Sequence, residues 1–328
     1  MGTATAVPTV PGTAIMLSFL ARRIGASIVL LFVTSFVTFL LLSLAGQDVG
    51  RQLLGINASP AAVAAKNSAL GVDRPILVQY GDWLVHALQG DLGRSWFSSE
   101  YVTTAIAGRL PVTLSLMIGV TLLTAVVGYL LGVWAGIRRG GVDRFVQIFS
   151  VAGYALPGFL VTIIIVIVFA VQLRWFPAIG YIPITQSFTG WLSTITLPVI
   201  SLSIAAIAGI AQQVRSSVIE VARSDYVRTL ATRGLPRRRI LFRHVLRNAS
   251  APALTVLGMQ FVGLLGGAVI VEQIFGLPGI GSMTIQYTTR GDIPIIMGLV
   301  MLSAIGVVII NLLVDLGIGW LLPKARTS

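Results

Sequence analysis

The sequence has 328 residues, 55% of them hydrophobic and 10% charged, with a mean hydropathy of +0.91. Its net charge is +12 and it contains no cysteine, which excludes disulfides, thiolate-bound haem and cysteine–zinc sites. Six windows lack every Asp, Glu, Lys and Arg: 24–47, 110–137, 145–173, 175–214, 248–271 and 293–314. Each holds the ~20 apolar residues that cross a bilayer's hydrocarbon core. The runs are continuous rather than alternating, which argues against a β-barrel. The reading is an all-α polytopic membrane protein with six transmembrane helices.

In chain order, residues 1–23 form a cytoplasmic N-terminal tail. It is small-residue and Pro-rich, without the basic n-region of a cleaved signal, and ends in Arg22-Arg23. The first span is 24–45. An extracytoplasmic loop follows over 46–109, in which Ile76, Tyr80, Trp83, Leu84, Ala87 and Leu88 recur at helical spacing behind Pro75. That spacing predicts a helix along the membrane interface, where Tyr and Trp are favoured.

The core, 110–328, holds spans 2–6 and a loop over 214–250. Span 2 (111–137) carries Gly128, Gly132 and Gly136 on one face, a small-residue series that lets helices approach closely within one chain or between subunits. Span 3 (145–171) is interrupted by Pro157-Gly158, which bends it and gives Pro157 a candidate place along a pathway. "WFPAIGYIPITQSFTG" (175–190) is too rich in Pro, Gly and polar residues to span, so span 4 is 191–213. Span 5 is 251–274 and span 6 is 293–322. Between them, 272–281 forms either a re-entrant turn or a simple loop.

Charge sets the orientation. With both termini in the cytoplasm, 16 of the 23 basic residues fall inside, nine of them between Arg215 and Arg247, against three acids. This is a positive-inside pattern, and it explains the basic character without a nucleic-acid partner.

Several motifs are missing. The only lysines, Lys66 and Lys324, follow Ala65 and Pro323, so no phosphate-binding P-loop exists. His86 and His244 fall on opposite sides of the membrane, and no catalytic or metal constellation stands out. Asp315, one turn after Asn311, is the only acid deep in a span. It is thin support for an ion-coupled carrier and otherwise pairs at the inner interface.

The arginine-rich stretch has three readings: simple retention by the positive-inside rule, a basic helix lying on anionic lipid, or a docking element. Its arginines point in different directions around a helix, unlike a lipid-lying face. Gly234 suits a left-handed helix end and Pro236 the start of another, so the stretch reads helix, sharp turn, helix.

"DYVRTLATRGL" (225–235) and "HVLRNASAP" (244–252) resemble the coupling loop of ATP-binding-cassette importer permeases in its peptide-permease form. "LGVDRPILVQYGDWLVHALQGDLGRS" (70–95), "RLPVTLSL", "GVWAGIRRGGVDR", "EQIFGLPGIGSM" and "NLLVDLGIGWLLPKAR" extend the likeness over nearly the whole chain. They resemble the first permease of a dipeptide/oligopeptide importer, the member with the larger outer loop. Arg228-Thr229-Leu230 stands where the general pattern has Glu-Ala-Ala, and Leu230-Ala231-Thr232 departs from the usual peptide-permease Ala-Arg-Ala. Those departures bear on the groove contacts.

The resemblance implies a type I importer permease fold in a bacterial plasma membrane, non-catalytic itself. It implies a second homologous permease, two ATPase subunits that bind the ATP and Mg, an extracytoplasmic binding protein, and a short peptide as substrate. Nickel chelates, glutathione or haem are its alternatives. Asp225, Tyr226, Arg228, Thr229, Gly234 and Leu235 would couple to the ATPase. Asp73, Arg74, Pro75, Gly90, Asp91, Gly93 and Arg94 carry the outer-loop signature. Pro157, Glu272, Phe275, Pro278 and Gly279 are candidates for the pathway or its gate.

Overall fold

The computed structural model describes residues 12–45, 48–138 and 140–321. The tail residues 1–11, Arg139, and the closing Lys324 and Arg326 lie outside the described residues. Among the described residues every regular element is helical, apart from one isolated bridge between Arg94 and Tyr101.

The first long helix, α1, is Gly12–Leu44. Three short helices follow: α2 (Val49–Leu54), α3 (Pro60–Leu70) and α4 (Ile76–Leu88). Then come α5 (Val102–Ile137), α6 (Gly141–Ala155), α7 (Gly158–Gln172) and α8 (Phe188–Ala222). The chain ends with α9 (Asp225–Thr232), α10 (Arg237–Ile274), α11 (Ile280–Thr289) and α12 (Ile293–Leu321). Helices α1, α5, α8, α10 and α12 are long and apolar enough to cross a membrane, and α6–α7 supplies a sixth crossing when the bent pair counts as one.

Helix ends and charge boundaries do not coincide. The helix α1 begins at Gly12 rather than 24, and α5 begins at Val102, so Arg109 and Pro111 sit inside it. Likewise α8 runs past Arg215 to Ala222, and α10 starts at Arg237 rather than 251. A charge marks where lipid stops; a helix stops only where its hydrogen-bond ladder does. Span 3 is broken more sharply than a proline kink. Leu156 and Pro157 are both extended, with ψ of 124° and 127°, as the residue before a proline prefers. The two halves meet at 99°.

Helix α8 is the axis of the bundle, packed by α5, α6, α7 and α10. Apolar helices gain little from leaving lipid for one another, so close contact must hold them. Gly128, Gly132 and Gly136 provide it against Ile210, Ala211 with Val214, and Val218 of α8. A Cβ on Gly132 would stand 2.6 Å from the Ala211 carbonyl. The small-residue series is therefore an intrachain seam. Outside this bundle, α1 packs on α12 and α4.

The connections define two ends. The basic end holds the links α5–α6, α8–α9–α10 and the Arg23–Asp315 ion pair between α1 and α12. The loop end holds α2–α4, the 174–187 segment and α11. There α4 covers the residues whose periodicity predicts a helix, but Tyr80 turns into the protein: it is 5% exposed, among Phe32, Phe36, Phe39 and Trp83, with Ser35 at 2.9 Å from its hydroxyl.

Candidate functional site

At the basic end, α9 stands between the two long helices α8 and α10. Its turn is a Schellman motif: Leu235 N–H donates to the Leu230 carbonyl at 3.3 Å and Gly234 N–H to Ala231 at 3.1 Å. The motif needs a left-handed residue, and Gly234 has φ +77°. Leu230 and Leu235, the apolar pair that accompanies such a turn, pack with buried Val227 on Ile210, Val214 and Val218 of α8 and Leu246, Ala249 and Ala253 of α10.

The opposite face of α9 is open. Asp225 and Arg228 form an exposed pair at 3.5 Å, their side chains 97% and 73% accessible, and Thr229 is exposed beside them. Tyr226 is only partly outward: its hydroxyl accepts from Asn248 Nδ2 at 2.8 Å, which ties α9 to the root of α10. Of the six coupling candidates, Asp225, Arg228 and Thr229 face out, Gly234 makes the turn, Tyr226 bridges and Leu235 packs inward. After Pro236 the chain does not form a separate short helix. It enters α10 directly, through a π turn at Leu241–Val245, so the turn is continuous with span 5. Among the described residues Arg223, Arg233, Arg237, Arg238, Arg239 and Arg243 form no ion pair, whereas Arg215 is held by Asp143 and Asp315 by Arg23.

At the loop end, Arg74 pairs with Asp82 at 2.6 Å rather than with its neighbour Asp73, which is exposed. Pro75 caps α4. Gly90 and Gly93 have φ of +87° and +85°, Asp91 accepts from Gly93 N–H at 2.8 Å, and Arg94 binds Tyr101 through its hydroxyl and ring. Asp48 caps α2 and accepts from Asn67 and the Arg51 N–H. These hold its carboxyl below the usual aspartate value, the Asn67 bond most strongly.

The sequence reading missed the residue that fastens this loop. Asp292, fully buried, accepts from the Ser95 hydroxyl at 2.5 Å and the Trp96 N–H at 3.4 Å, and its backbone carbonyl accepts from Ile296 at the start of α12. An Asp just before an apolar helix with Pro294 in its first turn is an N-cap signal that would have found it.

Among the gate candidates, Glu272 forms a second lock, with Gly279 beside it. Glu272, 0% exposed, accepts from Thr113 Oγ1 at 2.6 Å and Ser282 N–H at 2.8 Å, while Thr113 accepts from Ile280 N–H at 2.8 Å. Gly279 and Gly281 leave room for that carboxylate. The segment 275–279 thus turns the chain back on itself, and α11 lies against α10. Phe275 is 1% exposed and belongs to the core, whereas Pro278 and Pro157 are exposed. Among the described residues no three metal-ligating side chains gather.

Six apolar crossings with a folded loop at one end and a displayed helix at the other are the build of a membrane-embedded transport subunit. The chain belongs to the family of binding-protein-dependent transport system inner membrane components, whose model matches residues 128–327, with its N-terminal companion model matching 16–117. It is 38% identical to a Brucella abortus protein named as a peptide transport system permease, over 92% of this chain and 96% of that one. It is 35% identical to the di/tripeptide transport system permease DppB of Pseudomonas aeruginosa, over 95% and 99%. The inward-facing MetNI methionine ABC transporter shares the fold, with a TM-score of 0.53 at 16% identity over 67% of this chain and 97% of that one. The protein is thus a multi-pass component of a bacterial inner membrane.

Proposed function

We propose that this chain is a translocation subunit of an ATP-driven importer of short peptides, with its basic end in the cytoplasm. A second permease completes the path, and an extracytoplasmic binding protein delivers peptide at the loop end. Two ATPase subunits bind and hydrolyse the nucleotide; this chain contributes no catalytic group. The observation that carries the reading is the display of Asp225, Arg228 and Thr229 on a helix whose other face rests on spans 4 and 5. Motion imposed on α9 passes into both long helices, because the turn on one side and Val227 on the other leave it no independent path. Such coupling requires different contacts in the two states. Peptide as the cargo is supported by the two relatives named for peptide transport. An ion-coupled carrier has less support, since Asp315 is neutralised by Arg23.

The test begins with mild-detergent purification of the chain from its native membrane. A second six-span permease and a P-loop ATPase should accompany it, and the complex in vesicles should accumulate labelled dipeptide only with ATP and the binding protein. Proton-driven uptake by this chain alone would overturn the reading. Uptake of glutathione, haem or a nickel chelate in place of peptide would overturn the cargo but not the machine.

A further inference from the structure

An open cleft of about 570 Å³ lies at the root of α10, lined by Pro236, Arg238, Arg239, Phe242 and Arg243. All five residues are exposed, whereas Ile240, Val245 and Leu246 of the same turns pack inward with Val214 and Val218 of α8. The cleft therefore belongs to the outward side of α10. Phe242 is 61% exposed and takes no part in the apolar cluster; the Arg238 guanidinium stands over its ring at 5.9 Å.

The charge at this cleft is unmatched. No acidic residue lies between Asp225 and Glu272 in the sequence, and among the described residues Arg238, Arg239 and Arg243 form no ion pair. Arg239 and Arg243 are four residues apart on one helix, where like charges repel. Cations in the opening turns also oppose the helix dipole. Arg247 is different, because it donates to the Leu321 carbonyl at 2.8 Å and so serves the fold. The other three arginines cost the helix stability with nothing inside the chain to offset them, a conflict that points to a partner outside it.

The height of the cleft narrows the choice of partner. The charge-free run of this helix opens at Asn248. At about 1.5 Å per residue, Phe242 and Arg243 stand roughly 7–9 Å before that point, and Arg238 and Arg239 roughly 13–15 Å. Headgroups extend roughly 5–8 Å beyond the hydrocarbon on each side. Phe242 and Arg243 are therefore at headgroup depth, and the other two arginines lie within about a Debye length above them. An acidic protein surface would match the charge, but at the depth of Phe242 the material at hand is lipid.

We propose that this cleft binds the headgroup of an anionic phospholipid from the adjoining leaflet. Arg239 and Arg243 hold the phosphate, to which a planar guanidinium offers paired donors. Arg238 adds its charge, and the Phe242 ring meets the glycerol and the first methylenes of the tails, as interfacial aromatics do. The volume lies within the roughly 300–1,000 Å³ of ordinary ligand pockets. This is not a basic helix lying along the surface but a spanning helix gripping one lipid at its point of entry. The assignment goes beyond the peptide-import reading and needs only the membrane.

The test titrates the purified full chain, in uncharged detergent, with phosphatidylglycerol or with phosphatidylethanolamine of the same tails, and counts retained lipid by native mass spectrometry. One phosphatidylglycerol should be held about tenfold or more tightly than phosphatidylethanolamine, since each arginine near an anionic surface is worth about fivefold. The double variant Arg239→Gln, Arg243→Gln should abolish that preference. The control pair Arg138→Gln, Arg144→Gln removes two exposed cations elsewhere at the same end and should keep it. Phe242→Ala should weaken both lipids and leave their ratio unchanged. A phosphatidylglycerol with a photoreactive headgroup should label residues 236–243 of the wild-type chain, which decides the matter if the arginine variant fails to fold. Equal retention of the two lipids, equal losses in the cleft and control pairs, or labelling confined to other residues overturns the site. An arginine variant that keeps its lipid preference but no longer co-purifies with an ATPase subunit assigns the cleft to a protein surface, and overturns the lipid site as well.

Discussion

Thr113 on α5 and Glu272 at the end of α10 are joined by a 2.6 Å hydrogen bond, and the same threonine oxygen accepts from Ile280 N–H at 2.8 Å. One hydroxyl therefore serves as donor and acceptor for a turn 159 residues away in sequence. Thr113→Val keeps the shape and removes both bonds, leaving a buried N–H and a carboxylate oxygen unmet, at a cost of about 1–3 kcal/mol for each group. The variant should lose its monodisperse peak in detergent at a lower temperature than wild type, and Thr113→Ser should restore it. Equal heat resistance for all three would show that the lock bears no load.

Gly234 should tolerate substitution in the order Gly, Asn, Ala, Val. Its φ of +77° suits glycine, Asn visits that region with local help, and a β-branched residue resists it. ATP-driven uptake should fall along that series, while the amount of chain in the membrane stays level, since the turn lies outside the bundle. Normal uptake by Gly234→Val would remove the turn from the coupling path.

Gly132→Val tests the seam. Its side chain would press on Ala211 and Val214 and force α5 from α8, with an overpacking penalty of about 1–3 kcal/mol. Gly128→Ala, whose Cβ would stand 3.0 Å from Ile210, should be milder. Heating the purified chain alone separates intrachain packing from subunit contact: only the former lowers its unfolding temperature.

Asp292→Ala should free the segment before α5 at the loop end. The Ser95 and Trp96 contacts vanish together and the last helix loses its cap, worth about 0.5–2 kcal/mol. Amide hydrogen exchange over 90–102 should accelerate while exchange at 225–235 is unchanged. Unaltered exchange at 90–102 would mean that Arg94 and Tyr101 hold the loop by themselves.

Much of this was readable from local chemistry. Charge-free windows gave the crossings, Pro157 marked the break and Gly234 the turn, because each acts through its own backbone neighbourhood. What escaped was set by distance or continuity. Nothing near Ser95 announces Asp292, 197 residues later, and nothing near Thr113 announces Glu272. In the sequence, Arg237, Arg238 and Arg239 read as part of the 214–250 loop, because their charge hides the continuity of that helix with span 5.

The Arg23–Asp315 pair has a consequence for biosynthesis. Helix α1 emerges from the ribosome well before its lateral neighbour α12 is made. At about 5–20 residues per second, Arg23 precedes Asp315 by roughly 15–60 s. During that interval the first helix must wait in the bilayer or be sheltered by the insertion machinery. Completion of α12 and closure of α1 onto it are then one event, and a truncation just before Asp315 would strand the first helix along with the last turns of α12.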